Sequence, residues 1–125
     1  MPGLGWVRAL IITALVTSSL LHARSALACG LRMYGAVSDH WEMGDDASRV
    51  GDFALAIHYY EDGLRIAHQL PAISPWRRCA ATISRSYVAL ALRRRAYFDE
   101  RGRSTRALAE TQRFTPDFPH DFNCP

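Results

Sequence analysis

Few residues in this chain are placed to do chemistry. Three cysteines stand at Cys29, Cys79 and Cys124, and four histidines follow the first 28 residues, at His40, His58, His68 and His120. No His-Glu-x-x-His, Cys-x-x-Cys or Cys-x-x-Cys-His run occurs, so neither a zinc site nor attached haem is signalled. His58 and His68 are ten residues apart, on different helical turns, with no common chelating geometry. Serine elbows and glycine-rich phosphate loops are absent. The chain therefore reads as a non-enzyme without metal or cofactor.

The cysteines carry redox chemistry if the compartment allows it. Residues 1–28 have the form of a secretory signal: Arg8 and the N-terminus supply positive charge, Ala9–Leu21 is mostly apolar, and Ala26-Leu27-Ala28 is an A-x-A cleavage site. The run is shorter than the roughly 20 residues of a membrane span. Cleavage after Ala28 leaves a mature chain, Cys29–Pro125, that is periplasmic or secreted, where disulfides persist. Three cysteines cannot all pair. A Cys79–Cys124 bond ties a proline-flanked tail to the body and, by loop entropy, contributes roughly 4 kcal/mol. The rival Cys29–Cys124 bond joins the two ends, and three unpaired thiols are the third alternative. Cys29 at a new N-terminus also raises lipidation, which would hold the protein on a membrane surface, and a thiol-dependent redox role. Against lipidation, Ala26 stands where lipoprotein signals favour Leu.

Charge is polarised. The chain carries a formal charge of +3 with no Lys. Seven acids lie within Asp39–Asp62 (Asp39, Glu42, Asp45, Asp46, Asp52, Glu61 and Asp62), with Arg49 among them. Arg65–Arg113 holds eleven arginines against Asp99, Glu100 and Glu110. Arg77, Arg78, Arg85, Arg93 and Arg95 share one face of a predicted helix, opposite its apolar stripe. That face is either solvated or meets an acidic partner, for which Arg offers bidentate contacts. Nucleic acid is not expected for an exported chain. Arg94 is anomalous because it sits within the apolar stripe Cys79, Ile83, Tyr87, Leu90, Ala91, Arg94, Phe98. A charge there needs a partner, either an acid such as Glu61 or an anionic group on a ligand.

The elements that position these residues are helices. Gly51-Asp52 closes one helix and caps the next. Phe53, Ala56, Ile57, Tyr60, Leu64 and Ala67 then mark one helical face. Gly63 lies on that face, where a glycine costs about 1 kcal/mol relative to alanine and so predicts close helix approach. Helices are expected at about 39–50, 52–68, 75–101 and 104–114. Asp39-x-x-Glu42 resembles a capping box for the first. Ser74-Pro75 opens the third. Pro116, Pro119 and Pro125 keep the tail 115–125 irregular, and Phe114, Phe118 and Phe122 are placed to dock on the helices.

Gly51–Leu64, G-D-F-x-x-A-I-x-Y-Y-x-x-G-L, resembles the second helix of a tetratricopeptide (TPR) repeat, carried by Gly51, Asp52, Phe53, Ala56, Ile57, Tyr60, Gly63 and Leu64. Met43-Gly44 stands where the first helix of that repeat has its Leu-Gly pair, and Trp41 lies one position from the usual aromatic. Gly63 and Ala47 depart from the family pattern. Gly102…Ala107-Leu108 echoes Gly51…Ala56-Ile57 at a separation of 51 residues, rather than the family's 34 or so. The resemblance implies an all-α fold of antiparallel hairpins, about four helices plus a tail, in one domain spanning residues 29–125. It also implies a module that binds a peptide or protein partner on the surface lined by first helices. About three repeats are normally needed for a continuous core, so the tail is expected to cap the stack, or the chain to form a homodimer or complete a partner.

Overall fold

The computed structural model describes residues 11–13, 16–17 and 32–118. Among these the chain is all-α. Residues 11–13 and 16–17 are helical, with Ile11, Ile12 and Val16 exposed. The rest of the signal segment, including Ala28 and Cys29, lies outside the described residues, as do Cys124 and Phe122. Within residues 32–118 the helices are α1 (residues 32–49), α2 (Phe53–Gln69), α3 (Trp76–Glu100) and α4 (Thr105–Thr111). No described helix is long and apolar enough to cross a membrane.

The two tight connections use the same device. Gly51 has φ +84° and Gly102 φ +83°, a left-handed conformation open to glycine. Asp52 then accepts a hydrogen bond from the Leu55 N–H at 3.1 Å, and Ser104 accepts from the Ala107 N–H at 3.1 Å. Each side chain satisfies an amide that the first turn leaves unpaired. The α2–α3 link differs. Pro75 provides no side-chain cap, and the Trp76 N–H reaches the Ser74 hydroxyl at 3.4 Å.

The first helix starts earlier than the capping-box reading predicts. Ser38 and Asp39 lie inside α1, and the Ser38 hydroxyl donates back to the Gly35 carbonyl at 2.9 Å. Met33, Tyr34, Val37 and Trp41 extend the apolar stripe one further turn and pack on Ala67, Leu70, Ala80 and Ala81. Burial of that stripe outweighs a polar pair that imitates a cap. The last helix is shorter than expected and stops at Thr111.

The core has two centres. Val37, Ala67, Leu70, Ala80 and Ala81 form one, and Ala47, Ala56, Ile57, Tyr60 and Ala91 the other. Small residues dominate, so the backbones approach closely. A Cβ on Gly63 would lie 3.4 Å from Trp41 Nε1 and 3.5 Å from the His40 Cβ, which is the close α1–α2 approach that Gly63 predicts. Helix α3 is central. Ser84, on its α1-facing side, accepts from the Trp41 indole at 2.9 Å, while Tyr87 stacks on Tyr60 at 5.0 Å between ring centroids.

Candidate functional site

Helices α1 and α3 lie side by side, and the segment after α4 crosses the seam between them. Gln112 and Arg113 turn the chain, with the Arg113 and Phe114 amides donating to the Glu110 and Thr111 carbonyls. Residues 114–118 have no regular structure, and Pro116 disfavours helix for itself and for Thr115. Three α3 side chains hold this segment by its main-chain carbonyls. Arg94 donates to Phe114 O at 2.7 Å, Arg93 to Thr115 O at 2.8 Å and Ser86 to Asp117 O at 3.1 Å. The aromatic side chains add weaker contacts. Phe114 meets the Tyr97 ring edge-on at 5.2 Å and lies under the Arg93 guanidinium at 5.2 Å, while Phe118 meets Tyr87 at 6.3 Å.

Arg94 is the joint of this arrangement. Besides Phe114 O it donates to the Ser48 hydroxyl of α1 at 2.9 Å, and Gln112 reaches the Ser48 carbonyl at 3.2 Å. The expected partner Glu61 is exposed and does not meet it. Among the described residues the Arg94 Nε is buried without a hydrogen-bond partner. Burial pushes the Arg94 pKa below its ordinary value, opposed by the attraction of Tyr60 and Asp45. Asp45 accepts a short hydrogen bond from the buried Tyr60 hydroxyl. Burial first, then this bond and the Asp45 charge, push the Tyr60 pKa well up, so Tyr60 stays a neutral donor. A cavity of about 320 Å³ remains beneath the segment, lined by Asp45, Arg49, Tyr87, Leu90, Arg94 and Phe114 among others.

The candidate arginines Arg77, Arg78, Arg85, Arg93 and Arg94 therefore divide. Arg93 and Arg94 hold the tail. Arg77, Arg78 and Arg85 surround a separate concavity of about 240 Å³ with His68 and Ser74, and no ion pair engages those three among the described residues. The repeat-defining positions are structural: Phe53, Ala56, Ile57, Tyr60 and Gly63 are buried, Leu64 packs at the edge of a core cluster, and Gly51 and Asp52 form the turn. Cys79 is buried on α3. Sequence reasoning missed Ser48, Ser86 and Gln112. No local pattern marks a serine whose partner lies tens of residues away.

Beside Phe114, the Tyr97 hydroxyl donates a short bond to Glu110, which also accepts from Arg106 at 3.1 Å. The bonds from Tyr97 and then Arg106 hold the Glu110 carboxyl below its ordinary 4.5. A depressed carboxylate adds stability that is present above 4.5 and is lost as pH falls through the lower folded value. The melting temperature of Glu110→Gln should therefore lie below that of the parent at pH 7, and the gap should close in acid. A gap that does not change with pH would contradict the Glu110 assignment.

Among the described residues no group of three or more His, Cys, Asp or Glu side chains is arranged to hold a metal ion. His40 Nδ1 lies 2.7 Å from the Ala36 carbonyl and His58 lies 3.5 Å from Asp62; His120 lies outside the described residues. Comparison of the chain with protein-family models, with curated proteins and with solved structures finds no match.

Proposed function

We propose that this is an exported, TPR-like binding module whose α1–α3 seam receives an extended segment of a peptide or protein partner. The observation that supports it is the chain's own tail, held across that seam by carbonyl contacts that ignore side-chain identity. A site that grips the main chain and offers aromatic faces fits a foreign extended segment in the same way. The repeat-like elements agree with this reading: α1–α2 and α3–α4 are consecutive hairpins, closed by positive-φ glycines, with first helices adjacent. Helix α3, at 25 residues, together with the loop before it, accounts for the long spacing between the two glycine signals. In this reading the tail is a placeholder that a partner displaces, and the protein has no catalytic role.

The test is photocrosslinking from Arg49, an exposed residue on the rim of the cavity, in the full-length exported protein. A partner should be captured there and not from Leu55, which is exposed on α2. Excess synthetic peptide of residues 113–125 should suppress the capture. Equal capture from both positions, or no competition, would sink the reading.

A second reading concerns the concavity of Arg77, Arg78 and Arg85, whose charges face no acid among its lining residues. It fits an acidic protein or an anionic membrane surface, the latter favoured if Cys29 is lipidated. Flotation with anionic but not neutral vesicles, lost in Arg78→Gln/Arg85→Gln, would support the membrane form.

A further inference from the structure

The concavity at Arg77, Arg78 and Arg85 is a notch built from one helix and one loop. Among the residues that line it, Ala81 is 5% exposed and belongs to the core. Arg77, Arg78 and Arg85 stand four before, three before and four after Ala81, the spacings at which helix side chains are neighbours. Three guanidiniums therefore flank one small apolar residue, which leaves room between them. The rest of the lining is His68 from the end of α2, with Ala72 and Ser74 from the loop that follows. The Ser74 hydroxyl accepts the Trp76 N–H at 3.4 Å, so its own proton remains to be donated.

The local electrostatics oppose this grouping. Like charges on adjacent turns repel. Arg77 and Arg78 also occupy the first turn of α3, which carries no acid and where the helix dipole disfavours cations. No acid lines the notch, and no ion pair engages the three arginines among the described residues. Arg77 is half-buried. A partly desolvated cation calls for a counter-charge, and the notch has space for one. Its size selects the kind. The volume is about 240 Å³, below the roughly 300–1,000 Å³ of pockets for drug-sized ligands, so it takes one small group rather than a broad surface. Three guanidiniums and a hydroxyl outnumber the two oxygens of a carboxylate. They suit the three terminal oxygens and near-double negative charge of a phosphomonoester, whose geometry the guanidinium fork matches.

We infer that this notch binds a phosphomonoester dianion, with Arg77, Arg78 and Arg85 sharing its terminal oxygens and Ser74 donating one further hydrogen bond. The inference deepens the second reading above and rests on it, replacing a diffuse anionic surface by one chemical group. That group is carried either by a lipid headgroup or by a small soluble molecule. The seam is not involved, since the contacts that hold the tail there come from Arg93, Arg94 and Ser86.

Methyl phosphate is the probe, titrated into the full-length protein near pH 7, where its second proton (pKa about 6) is mostly lost. The arginine Nε–H resonances report the site. Saturable one-to-one binding that shifts Arg77, Arg78 and Arg85 is expected. Affinity should fall at least about tenfold in Arg78→Gln and in Arg85→Gln. Arg85→Lys should recover only part of that loss, because it keeps the charge and not the fork. No saturable shift, equal binding of the monoanion methyl sulfate, or affinity unchanged in both glutamine variants would overturn the site. Tighter binding of hexaglutamate than of methyl phosphate would overturn it in favour of an acidic protein. Flotation with vesicles of a phosphomonoester lipid, against a phosphodiester lipid at matched charge, separates the sources. Selective flotation identifies a headgroup, and methyl phosphate binding without flotation identifies a soluble phosphate. The titration is read without vesicles, so its failure is distinguishable from failure of the membrane reading.

Discussion

Gly44→Ala should lower stability by about 2–3 kcal/mol, even though alanine is the better helix former. Gly44 lies within α1, buried against the face of Tyr60. A Cβ there would sit 2.7 Å from both Cδ1 and Cζ of that ring, closer than real Cβ atoms approach. The ring has nowhere to go. It is 1% exposed, its hydroxyl is bonded to Asp45, and its other face stacks on Tyr87 at an interplanar angle of 17°. Overpacking of a held side chain costs about 1–3 kcal/mol, with more where the backbone must shift. The helix-propensity gain of up to about 1 kcal/mol offsets only part of it. Gly35, also within α1, has open space where a Cβ would stand, with no atom within 4 Å, so Gly35→Ala should stabilise by about 0.5–1 kcal/mol. Thermal melts of the two variants should move in opposite directions. If both rise, Tyr60 is not held as described.

Arg94→Met should cost about 2–3 kcal/mol and release the tail. The substitution preserves much of the side-chain volume but leaves Phe114 O and the Ser48 hydroxyl without their charged donor. Hydrogen bonds to charged groups are worth about 1.5–3 kcal/mol each, and a buried acceptor left alone adds its own desolvation cost. Removing the unpaired, buried Arg94 Nε returns part of this, so the sum of both bonds is not expected. Arg94→Lys should fail to rescue, because one ammonium does not span α1 and the tail as the planar guanidinium does. Faster amide exchange at Phe114, whose N–H donates to Thr111 O at 3.1 Å, in both variants is the specific readout. Exchange that stays at the parental rate would mean that Arg94 does not hold the tail.

These two residues show how differently the parts of the molecule are written into the chain. Gly51-Asp52 and the stripe from Phe53 to Ala67 are local. Backbone conformation and a 3.6-residue period act within a few positions, so turn, cap and buried face can be read directly. The close approach at Gly63 is legible for the same reason, since a glycine on an apolar face has little other use. The start of α1 is not, because Ser38-Asp39-x-x-Glu42 satisfies the local grammar of a cap. Only packing of Met33, Tyr34 and Val37 against α2 and α3 decides otherwise. Arg94 marks the limit most clearly. Its type and its place in an apolar stripe announce that a partner must exist. Charge alone points to Glu61, yet the partners are the uncharged Ser48 hydroxyl and a main-chain carbonyl, 46 and 20 residues away. A carbonyl is present at every residue, so no sequence pattern distinguishes the one that matters. The sequence by itself determined the helices and the need to neutralise or solvate Arg94. The tertiary structure decided which helices adjoin, that the seam between α1 and α3 is where Arg94 points, and that the chain's own tail is what meets it there.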